Sequence, residues 1–338
     1  MIEEIIRQLN QKEDLDFLSM QSAVESIMTG EVDDDAIEAF LLALNQKGIK
    51  EIEITAAARV MQEKSLSFPL GDGDHIDTCG TGGTGIHTFN CSTASAFVVA
   101  GAGVKVAKHG NRAMSGSSGS ADVLEALGAN IDLGPKSVET CLNETGFGFM
   151  FAQRFHPSMK FAAAPRKEIG IRTVFNILGP LTNPAQAKFQ LIGASHKTIA
   201  KKIIEVLKIL KSKHSIVAYG EDGLDEISLS GGTHIWELKN GIITERSIKP
   251  SDLGLPFVDN AEIKINNPNE SAKILEKVLS GQETPARFLV LANAGTALVA
   301  AEKAETFIDG VTIATKSIDS GSALKVLKSY IKLSNTLS

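Results

Sequence analysis

The residues best suited to chemistry lie in a glycine-rich stretch from Asp77 to Gly101, DTCGTGGTGIHTFNCSTASAFVVAG. Glycines leave backbone N–H groups uncovered, and such groups at the start of a helix bind phosphate. The letters GTGGTG, from Gly80 to Gly85, also fit G-x-G-x-x-G, the dinucleotide fingerprint. A glycine cluster by itself is as often a tight turn, so the surrounding residues must decide.

The dinucleotide interpretation fails at the end of the second expected strand. It requires an acidic residue about 20 positions beyond the loop, where a carboxylate accepts a hydrogen bond from ribose. This chain has Val106-Ala107-Lys108-His109 there, and a lysine attracts phosphate instead. The loop also continues into Asn90-Cys91-Ser92-Thr93, which adds donors at a helix N-terminus.

The charge pattern favours a phosphate site of another kind. No Asp or Glu occurs from Thr78 through Ala121, although the chain of 338 residues has 40 acidic residues. The same window contains Lys105, Lys108 and Arg112, and a second cluster, KHGNRAMSGSSGS, from Lys108 to Ser120. Two such clusters facing one crevice indicate a ligand with more than one phosphate group.

A ligand of that type commonly brings Mg²⁺, which needs carboxylate oxygens. Asp225 and Glu226, in YGEDGLDEIS, follow an expected strand and are the best candidates. Adjacent acids are more often a solvated loop, and that alternative stays open from the residues alone.

A third cluster runs from Phe155 to Pro184, with Arg166 and Arg172 among apolar and small residues. Arg166 could bind a carboxylate through two parallel hydrogen bonds. An ordinary ion pair with Glu168 is an equal alternative. His109 is ambiguous, because a lone histidine more often satisfies a local hydrogen bond than takes part in catalysis.

The elements that must position these residues form two groups. Residues 1–66 carry only helical patterns, and the Pro- and Gly-containing stretch from Leu66 to His75 predicts a boundary. We therefore expect a small helical domain at 1–70 and a large α/β domain at 71–338. The segment 170–185, a short helix between glycines and prolines, is expected to rejoin the helical domain.

Beyond the boundary, strand and helix patterns alternate, which predicts a mainly parallel sheet covered by helices. One hairpin with an Asn240-Gly241 turn interrupts the alternation.

The bulk composition excludes several classes of protein. A formal net charge of −6 gives no global field that would attract nucleic acid. The N-terminus is not a signal peptide, and no apolar run is long enough for a bilayer, so we expect a cytoplasmic protein without membrane contact. The three cysteines have no C-x-x-C spacing, which argues against a zinc site or a disulfide framework.

The motifs GTGGTG with HTFNCSTASA, KHGNRAMSGSSGSADVLEALG, PRKEIGIRTVFNILGPLTNP and GEDGLDEIS together closely resemble the anthranilate phosphoribosyltransferase family of tryptophan biosynthesis. The resemblance extends over most of the chain. It implies a nucleoside phosphorylase/phosphoribosyltransferase-like fold and transfer of the phosphoribosyl group from phosphoribosyl pyrophosphate (PRPP) to the amino group of anthranilate. It also implies a homodimer formed through the helical domains.

The resemblance assigns residues to three sets. The PRPP set is Gly80, Gly83, Thr84, Thr88, Asn90, Cys91, Ser92, Thr93, Lys108, His109, Gly110, Asn111, Arg112, Ala113, Met114, Ser115, Gly116 and Ser120. The anthranilate set is Gly80, His109, Asn111 and Arg166, with Arg166 as the carboxylate partner. Magnesium, expected as two ions, would bind to Ser92, Asp225 and Glu226.

Three departures from the family pattern occur, at four positions. Thr84 stands where the family's first loop usually has an aspartate, so phosphate binding is expected to survive while the metal dependence shifts. Gly116 and Ser117 replace a serine and a basic residue, which removes a cation near the phosphates. Tyr219, where a histidine is frequent, is expected to be peripheral.

No convincing general base is found, and an aryl amine is already a nucleophile. The expected reaction is a dissociative displacement with inversion at C1, in which Lys108 and Glu226 support the transition state. A pyrimidine nucleoside phosphorylase and a non-catalytic relative that binds nucleic acid remain the alternatives.

Overall fold

A computed structural model describes residues 1–67, 74–113 and 117–337, and its centre is a seven-stranded sheet. The strands are β1 (His75–Asp77), β2 (Lys105–Gly110), β3 (Phe147–Phe151), β4 (Phe189–Gly193), β5 (His214–Gly220), β6 (Thr233–Lys239) and β7 (Ile242–Ile248). Their order across the sheet is β3-β2-β1-β4-β5-β6-β7. The first five strands are parallel, whereas β6 pairs antiparallel with both β5 and β7. The prediction of a mainly parallel sheet is confirmed.

The burial of the strands follows from their positions. Every residue of β3 and of β4 is buried, as expected of apolar strands covered on both faces. Strand β7 forms an edge and is mostly exposed and polar. Asn240 and Gly241, which join β6 to β7, both have positive φ values, of 52° and 75°, as a two-residue hairpin turn requires.

The N-terminal part consists of four helices, α1 (Ile2–Asn10), α2 (Phe17–Thr29), α3 (Asp34–Lys47) and α4 (Glu51–Glu63). The side chain of Asp16 accepts a hydrogen bond from the Ser19 N–H at the start of α2, and Asp33 caps α3 in the same way. Gly30 ends α2 in the left-handed conformation with a φ of 78°. The helical nature of this part is confirmed.

The helices that follow α4 are α5 (Cys91–Gly101), α6 (Ser120–Ala126), α7 (Pro135–Thr145), α8 (Ala152–Phe155), α9 (Ala163–Ile169), α10 (Phe175–Leu178), α11 (Lys197–Ile209), α12 (Pro268–Leu279), α13 (Pro285–Ala300), α14 (Phe307–Asp319) and α15 (Ser322–Ser334). The last four are not among the helices predicted from the sequence. Most of the helices that follow α4 cover the sheet, whereas α9 packs against α3 and α10 packs against α4. Helices α13, α14 and α15 pack against α5, so they fill the core behind the glycine-rich stretch.

Two apolar cores lie in the molecule, and the segment 170–185 belongs to the one that contains α1 to α4. Phe175, Leu178 and Leu181 of this segment are buried there. The expected boundary between residues 70 and 71 lies outside the described residues, so the division of the chain stays a prediction. Within the described ranges, no helix combines the length and the apolar character needed to cross a membrane.

Candidate active site

A large cavity of about 1430 Å³ opens where the order of the sheet reverses. Strands β1 and β4 are neighbours, but the chain continues from them to opposite sides of the sheet. In open parallel sheets such a point leaves a crevice at the carboxyl ends of the strands. The loops that follow β1, β2, β4 and β5 all reach this cavity.

The glycine loop, residues 78–90, is fixed to the end of β4 and to the acidic pair. The Thr81 N–H donates to the Gly193 carbonyl oxygen at 2.8 Å, and the Gly82 N–H donates to Asp225 Oδ2 at 3.0 Å. A Cβ atom on Gly80 would lie 3.1 Å from that same carbonyl oxygen, so the close approach favours glycine here. Gly83 has a φ of 75°, a conformation that L side chains rarely adopt.

Lys108 is a buried cation beneath this loop and is only 1% exposed. Its Nζ donates to the Thr78 carbonyl oxygen at 2.9 Å and to Thr78 Oγ1 at 3.2 Å. A longer bond of 3.4 Å reaches Ser92 Oγ on the first turn of α5. The ammonium group is therefore held by neutral oxygens, and its positive charge is available to an anion at the start of that helix.

The acidic pair lines the same cavity. Burial, and then the charge of Asp225, raises the pKa of Glu226 to about 8, against the opposing effect of Lys108. Burial also raises the pKa of Asp225. Two crowded carboxylates of this kind would be relieved by a bound cation.

A divalent ion would need more ligands than the pair supplies. Among the described residues, no group of three or more His, Cys, Asp or Glu side chains could hold a metal ion. Mg²⁺ is commonly bound by one or two carboxylates together with substrate phosphates and water, so Asp225 and Glu226 fit that mode of binding.

The second cluster is bound to the first through Asn90. Asn90 Oδ1 accepts hydrogen bonds from Ser118 Oγ at 2.6 Å and Ser271 Oγ at 2.7 Å, and Nδ2 donates to the Ser118 carbonyl oxygen. Ser120 Oγ accepts from Thr93 Oγ1 at 3.1 Å. The two glycine-rich stretches therefore meet at one wall of the cavity.

Most of the expected PRPP residues that the structure describes line this cavity: Gly80, Gly83, Thr84, Thr88, Asn90, Ser92, Lys108, His109, Gly110, Asn111, Arg112, Ala113 and Ser120. Cys91 and Thr93 do not, because both side chains are buried in the core face of α5. Their backbone N–H groups donate to Phe89 and Asn90 carbonyl oxygens, so neither is free for phosphate. Met114, Ser115 and Gly116 lie outside the described residues.

Arg112 is less available than its position in the sequence indicates. Its guanidinium group binds Glu125 at 2.8 Å and Asp122 at 3.2 Å, both on α6. These two acids come soon after the stretch from Thr78 to Ala121, which contains no Asp or Glu. The tertiary fold places them beside Arg112. Part of the hydrogen-bonding capacity of Arg112 is therefore already used by these two acids.

The remaining expected residues line another part of the cavity. The neutral His109 ring donates from Nδ1 to the Gly179 carbonyl oxygen at 2.9 Å, which leaves Nε2 as an acceptor. Burial lowers the pKa of His109 to about 4, so the ring is neutral near neutral pH. The His156 ring lies 5.0 Å away, centroid to centroid.

Arg166 is an unpaired cation that lines this part of the cavity. It forms no ion pair with any carboxylate in the part of the chain that the structure describes, and loss of hydration lowers the pKa of its guanidinium group. The guanidinium carbon lies 5.5 Å from the centre of the Phe175 ring. The alternative ion pair with Glu168 is therefore not formed, and Arg166 is free to bind an anionic ligand.

Two residues that hold the site together receive no role from the sequence, namely Arg172, which is noted in the third cluster, and Asn293, which is not noted. Arg172 Nη1 donates to Ser195 Oγ at 2.9 Å, and Nη2 donates to the Gly82 and Gly83 carbonyl oxygens. Asn293 on α13 supports the residue after the acidic pair by accepting from the Ile227 N–H at 2.8 Å. The apolar and small residues around Arg172 indicate a functional segment, whereas no sequence motif distinguishes Asn293.

Asn183 joins the segment 170–185 to the sheet beneath the site. Its Nδ2 donates to Asp77 Oδ2 at 2.7 Å and to the Ala107 carbonyl oxygen at 2.9 Å. Burial raises the pKa of Asp77 to about 6, although Lys108 and the hydrogen bond from Asn183 act in the opposite direction. The segment that carries Arg172 is thereby fixed to the ends of β1 and β2.

Comparison with known proteins gives the same family over the whole chain. Residues 72–324 match the family model described as "Glycosyl transferase family, a/b domain", and residues 3–65 match "Glycosyl transferase family, helical bundle domain". The anthranilate phosphoribosyltransferase of Symbiobacterium thermophilum is 47% identical over 96% of this chain and 95% of the relative.

Two solved structures show the same architecture. The anthranilate phosphoribosyltransferase of Thermus thermophilus aligns with a TM-score of 0.92 at 36% identity, covering 98% of this chain and 99% of that one. The Saccharomyces cerevisiae enzyme, solved in complex with PRPP and Mg, also has a TM-score of 0.92, at 28% identity over 99% of this chain and 98% of that one.

Proposed function

This chain belongs to the anthranilate phosphoribosyltransferase family, and we propose how the residues of its cavity carry out the family's reaction. The enzyme transfers the phosphoribosyl group of PRPP to the amino group of anthranilate and releases pyrophosphate, a step of tryptophan biosynthesis. One observation carries the assignment of the site. A single cavity is lined by the glycine loop, by the acidic pair and by the unpaired guanidinium group of Arg166.

In this reaction the bond between ribose C1 and the pyrophosphate oxygen breaks, and its electron pair leaves with pyrophosphate. The lone pair of the anthranilate nitrogen forms the new bond to C1, and the nitrogen then loses a proton to solvent. Because the amine is a nucleophile already, the main task of the protein is to hold the reactants and to stabilise the departing charge.

The phosphates of PRPP are assigned to the backbone amides of the glycine loop and to the second cluster. Lys108 supports the departing pyrophosphate from beneath, since its ammonium group lies at the N-terminus of α5 next to Ser92. Thr84 lines the cavity in the position where the family usually has an acid, and its Oγ1 already accepts from the Ile86 N–H at 3.1 Å. Cys91 acts on this site through packing, and Thr93 acts through its hydrogen bond to Ser120 Oγ.

Asp225, Glu226 and Ser92 are the residues proposed to hold magnesium, and two ions are proposed. Bound Mg²⁺ would neutralise charge on the pyrophosphate as the bond to C1 breaks. The raised pKa of Glu226, about 8, supports this role, because a carboxylate crowded by another acid gains most from a cation.

Anthranilate is assigned to the region of Gly80, His109, Asn111 and Arg166. Its carboxylate pairs with the free guanidinium group of Arg166. The neutral His109 presents Nε2 as an acceptor, which suits an N–H of the substrate amine rather than its carboxylate.

At the scale of the chain, we propose a helical domain of residues 1–70, joined by 170–185, and an α/β domain of residues 71–338. A homodimer through the helical domains and a cytoplasmic location are part of the same proposal. Exposed apolar side chains on α2 and α4, Leu18 at 69% exposure and Ile52 at 38%, support association through this part.

The test is turnover. The purified protein is mixed with anthranilate, PRPP and Mg²⁺, and the loss of anthranilate fluorescence is followed. A decay that requires all three components supports the proposal. Phosphorolysis of uridine or thymidine without such a decay would favour a nucleoside phosphorylase. An inactive protein that binds DNA in a salt-sensitive manner would indicate a non-catalytic relative.

A further inference from the structure

The segment from Val258 to Ser271, here called the brace, contacts both the glycine loop and the loop that carries the acidic pair. It follows β7 and leads into α12. The Phe89 N–H donates to the Ile263 carbonyl oxygen at 3.1 Å, and the Ile265 N–H donates to the His87 carbonyl oxygen at 3.0 Å. Thr88 and Lys264 form an isolated antiparallel bridge between them. The brace thus pairs with the second half of the glycine loop much as a short strand would.

The other end of the brace contacts the loop that carries the acidic pair. Asn260 Nδ2 donates to Asp222 Oδ2 at 2.8 Å. The same oxygen accepts from Ser228 Oγ and Ser230 Oγ, both at 2.5 Å, while Oδ1 accepts from the Leu224 N–H at 3.2 Å. Asp222 therefore folds the loop on both sides of Asp225 and Glu226, and Asn260 connects that loop to the brace.

A third contact lies where the brace becomes α12. Ser271 is fully buried, and its Oγ donates to Asn90 Oδ1 at 2.7 Å while accepting from the Asn90 N–H at 2.9 Å. These two bonds fix the rotamer of Asn90 at the N-terminus of α5. Asn90 in turn holds Ser118 of the second cluster, at 2.6 Å between Ser118 Oγ and Asn90 Oδ1.

We propose that the brace is a positioning element that sets the separation between the acidic pair and the glycine loop, acting through Asn260 on one side and Ser271 on the other. This inference rests on the proposed function. The two loops follow different strands, β5 and β1, and a metal-bound pyrophosphate must contact both at once. A shift of an ångström between them would break one set of contacts, since productive geometry tolerates little displacement.

The experiment compares Asn260→Ala with Asn266→Ala. Asn266 lies in the same segment, but its side chain donates only to Glu270 at 3.1 Å and contacts neither loop. We expect Asn260→Ala to raise the Mg²⁺ concentration for half-maximal activity and the KM for PRPP about fivefold to twentyfold, less than the full effect of losing one hydrogen bond to a charged group, because Asp222 keeps its two serine donors. The KM for anthranilate should stay within about twofold, and Asn266→Ala should match the wild type.

Asn260→Gln, which keeps a carboxamide donor, should recover part of the lost Mg²⁺ dependence. Ser271→Ala should raise the KM for PRPP without moving the Mg²⁺ dependence, because it acts through Asn90 on the glycine loop and the second cluster and, within the described residues, has no bond to the loop of the acidic pair. Assays far below the unfolding temperature of each variant separate positioning from stability. Kinetic constants for Asn260→Ala and Ser271→Ala equal to those of Asn266→Ala would overturn the inference.

Calorimetric binding of PRPP in the presence of Mg²⁺ is measured in parallel, without anthranilate. A wild-type protein that binds PRPP with Mg²⁺ but does not consume anthranilate would refute the proposed reaction. The binding constants of the three alanine variants would still decide whether the brace positions the two loops.

Discussion

At the scale of single residues, two carboxylates whose pKa values are raised, Asp225 and Glu226, line the cavity next to the glycine loop. The charge of Lys108 lowers the pKa of Glu226, and that of Asp77 on β1, but does not outweigh burial. Two ionised carboxylates beside bound phosphates are unfavourable unless a cation binds there. The residues therefore favour a metal-dependent reaction.

Glu226→Gln tests the metal role with a side chain of the same shape. We expect turnover at saturating Mg²⁺ to fall by about 100-fold or more, because an amide cannot replace a carboxylate as a ligand to Mg²⁺. Steady-state rates over a range of Mg²⁺ concentrations measure the effect. Glu262→Gln, an exposed site outside the cavity, is the control. Unchanged turnover of Glu226→Gln would remove this residue from the metal site.

Arg166→Leu tests the acceptor site. Loss of the bidentate contact to the anthranilate carboxylate should raise the KM for anthranilate about 10-fold to 150-fold, as for a charge-assisted hydrogen bond of 1.5–3 kcal/mol. The KM for PRPP should change little, because Arg166 is not among the residues assigned to PRPP. Arg59→Leu, on the exposed face of α4, is the control. An equal rise in both KM values would contradict a specific acceptor role.

At the scale of elements, the functional residues lie at the ends of strands and on the segments that cross them. The carboxyl ends of β1, β2, β4 and β5 supply the loops, and the segment 170–185 covers them through Asn183 and Arg172. Helix α8 and the 3₁₀ turn that follows it, Pro157–Ala162, bring His156 against His109 in the same cavity. These two buried rings give the cavity wall a pH-dependent stability.

Burial lowers the pKa of His156 to about 3, well below the value of an exposed histidine. A lowered pKa in the folded state means that the unfolded chain takes up the proton first as the pH falls. The stability that the neutral ring contributes is therefore present above a pH of about 6.5 and is lost below it, by about 2 kcal/mol between pH 7 and pH 5.

His156→Gln should remove this contribution, so its unfolding free energy should change less between pH 7 and pH 5 than that of the wild type. Urea unfolding at both pH values measures the difference. His196→Gln, at an exposed position, should keep the wild-type pH dependence. Equal pH dependence in His156→Gln and the wild type would show that the ring is not held neutral.

At the scale of the whole molecule, one of the two apolar cores contains residues of both the helical part and the α/β part. Leu178 and Leu181 of the segment 170–185, Ile203 and Ile204 of α11, and the buried residues of α1 to α4 belong to the same cluster. The acceptor side of the cavity is lined from both parts, by Asn45 of α3 and by Arg166 of α9. A change in the contact between the two parts would therefore alter the acceptor site first.

The proposed homodimer gives a prediction at this scale. Sedimentation equilibrium should give a mass of two chains, about twice the 35.9 kDa of one. Leu18→Glu, which places a charge on an exposed apolar position of α2, should shift the protein toward the monomer. Ile308→Glu, at an exposed apolar position of α14, should leave the mass unchanged. A monomeric wild-type protein, or a dimer insensitive to Leu18→Glu, would contradict association through α2.

The sequence by itself determined the local features. Apolar periodicity and helix caps predict α2, α3 and α4, since these depend on residues three and four positions apart. Short stretches of sequence are enough to recognise the glycine loop, the second cluster around Lys108 and the acidic pair. Lys108, which follows Ala107, stands where a dinucleotide site needs an acidic residue to bind the ribose. This lysine also suffices to reject a dinucleotide site.

Only the tertiary structure decided which of these features meet. The bond between Gly82 and Asp225 joins residues 143 positions apart, and it exists because only β4 separates β1 from β5 in the sheet. The same fold pairs Arg112 with Glu125 and turns Cys91 into the core, which no count of charges predicts. It also brings the brace, Val258 to Ser271, under both loops. Contacts between residues so far apart in the chain depend on strand order and packing. No short stretch of sequence determines either of these.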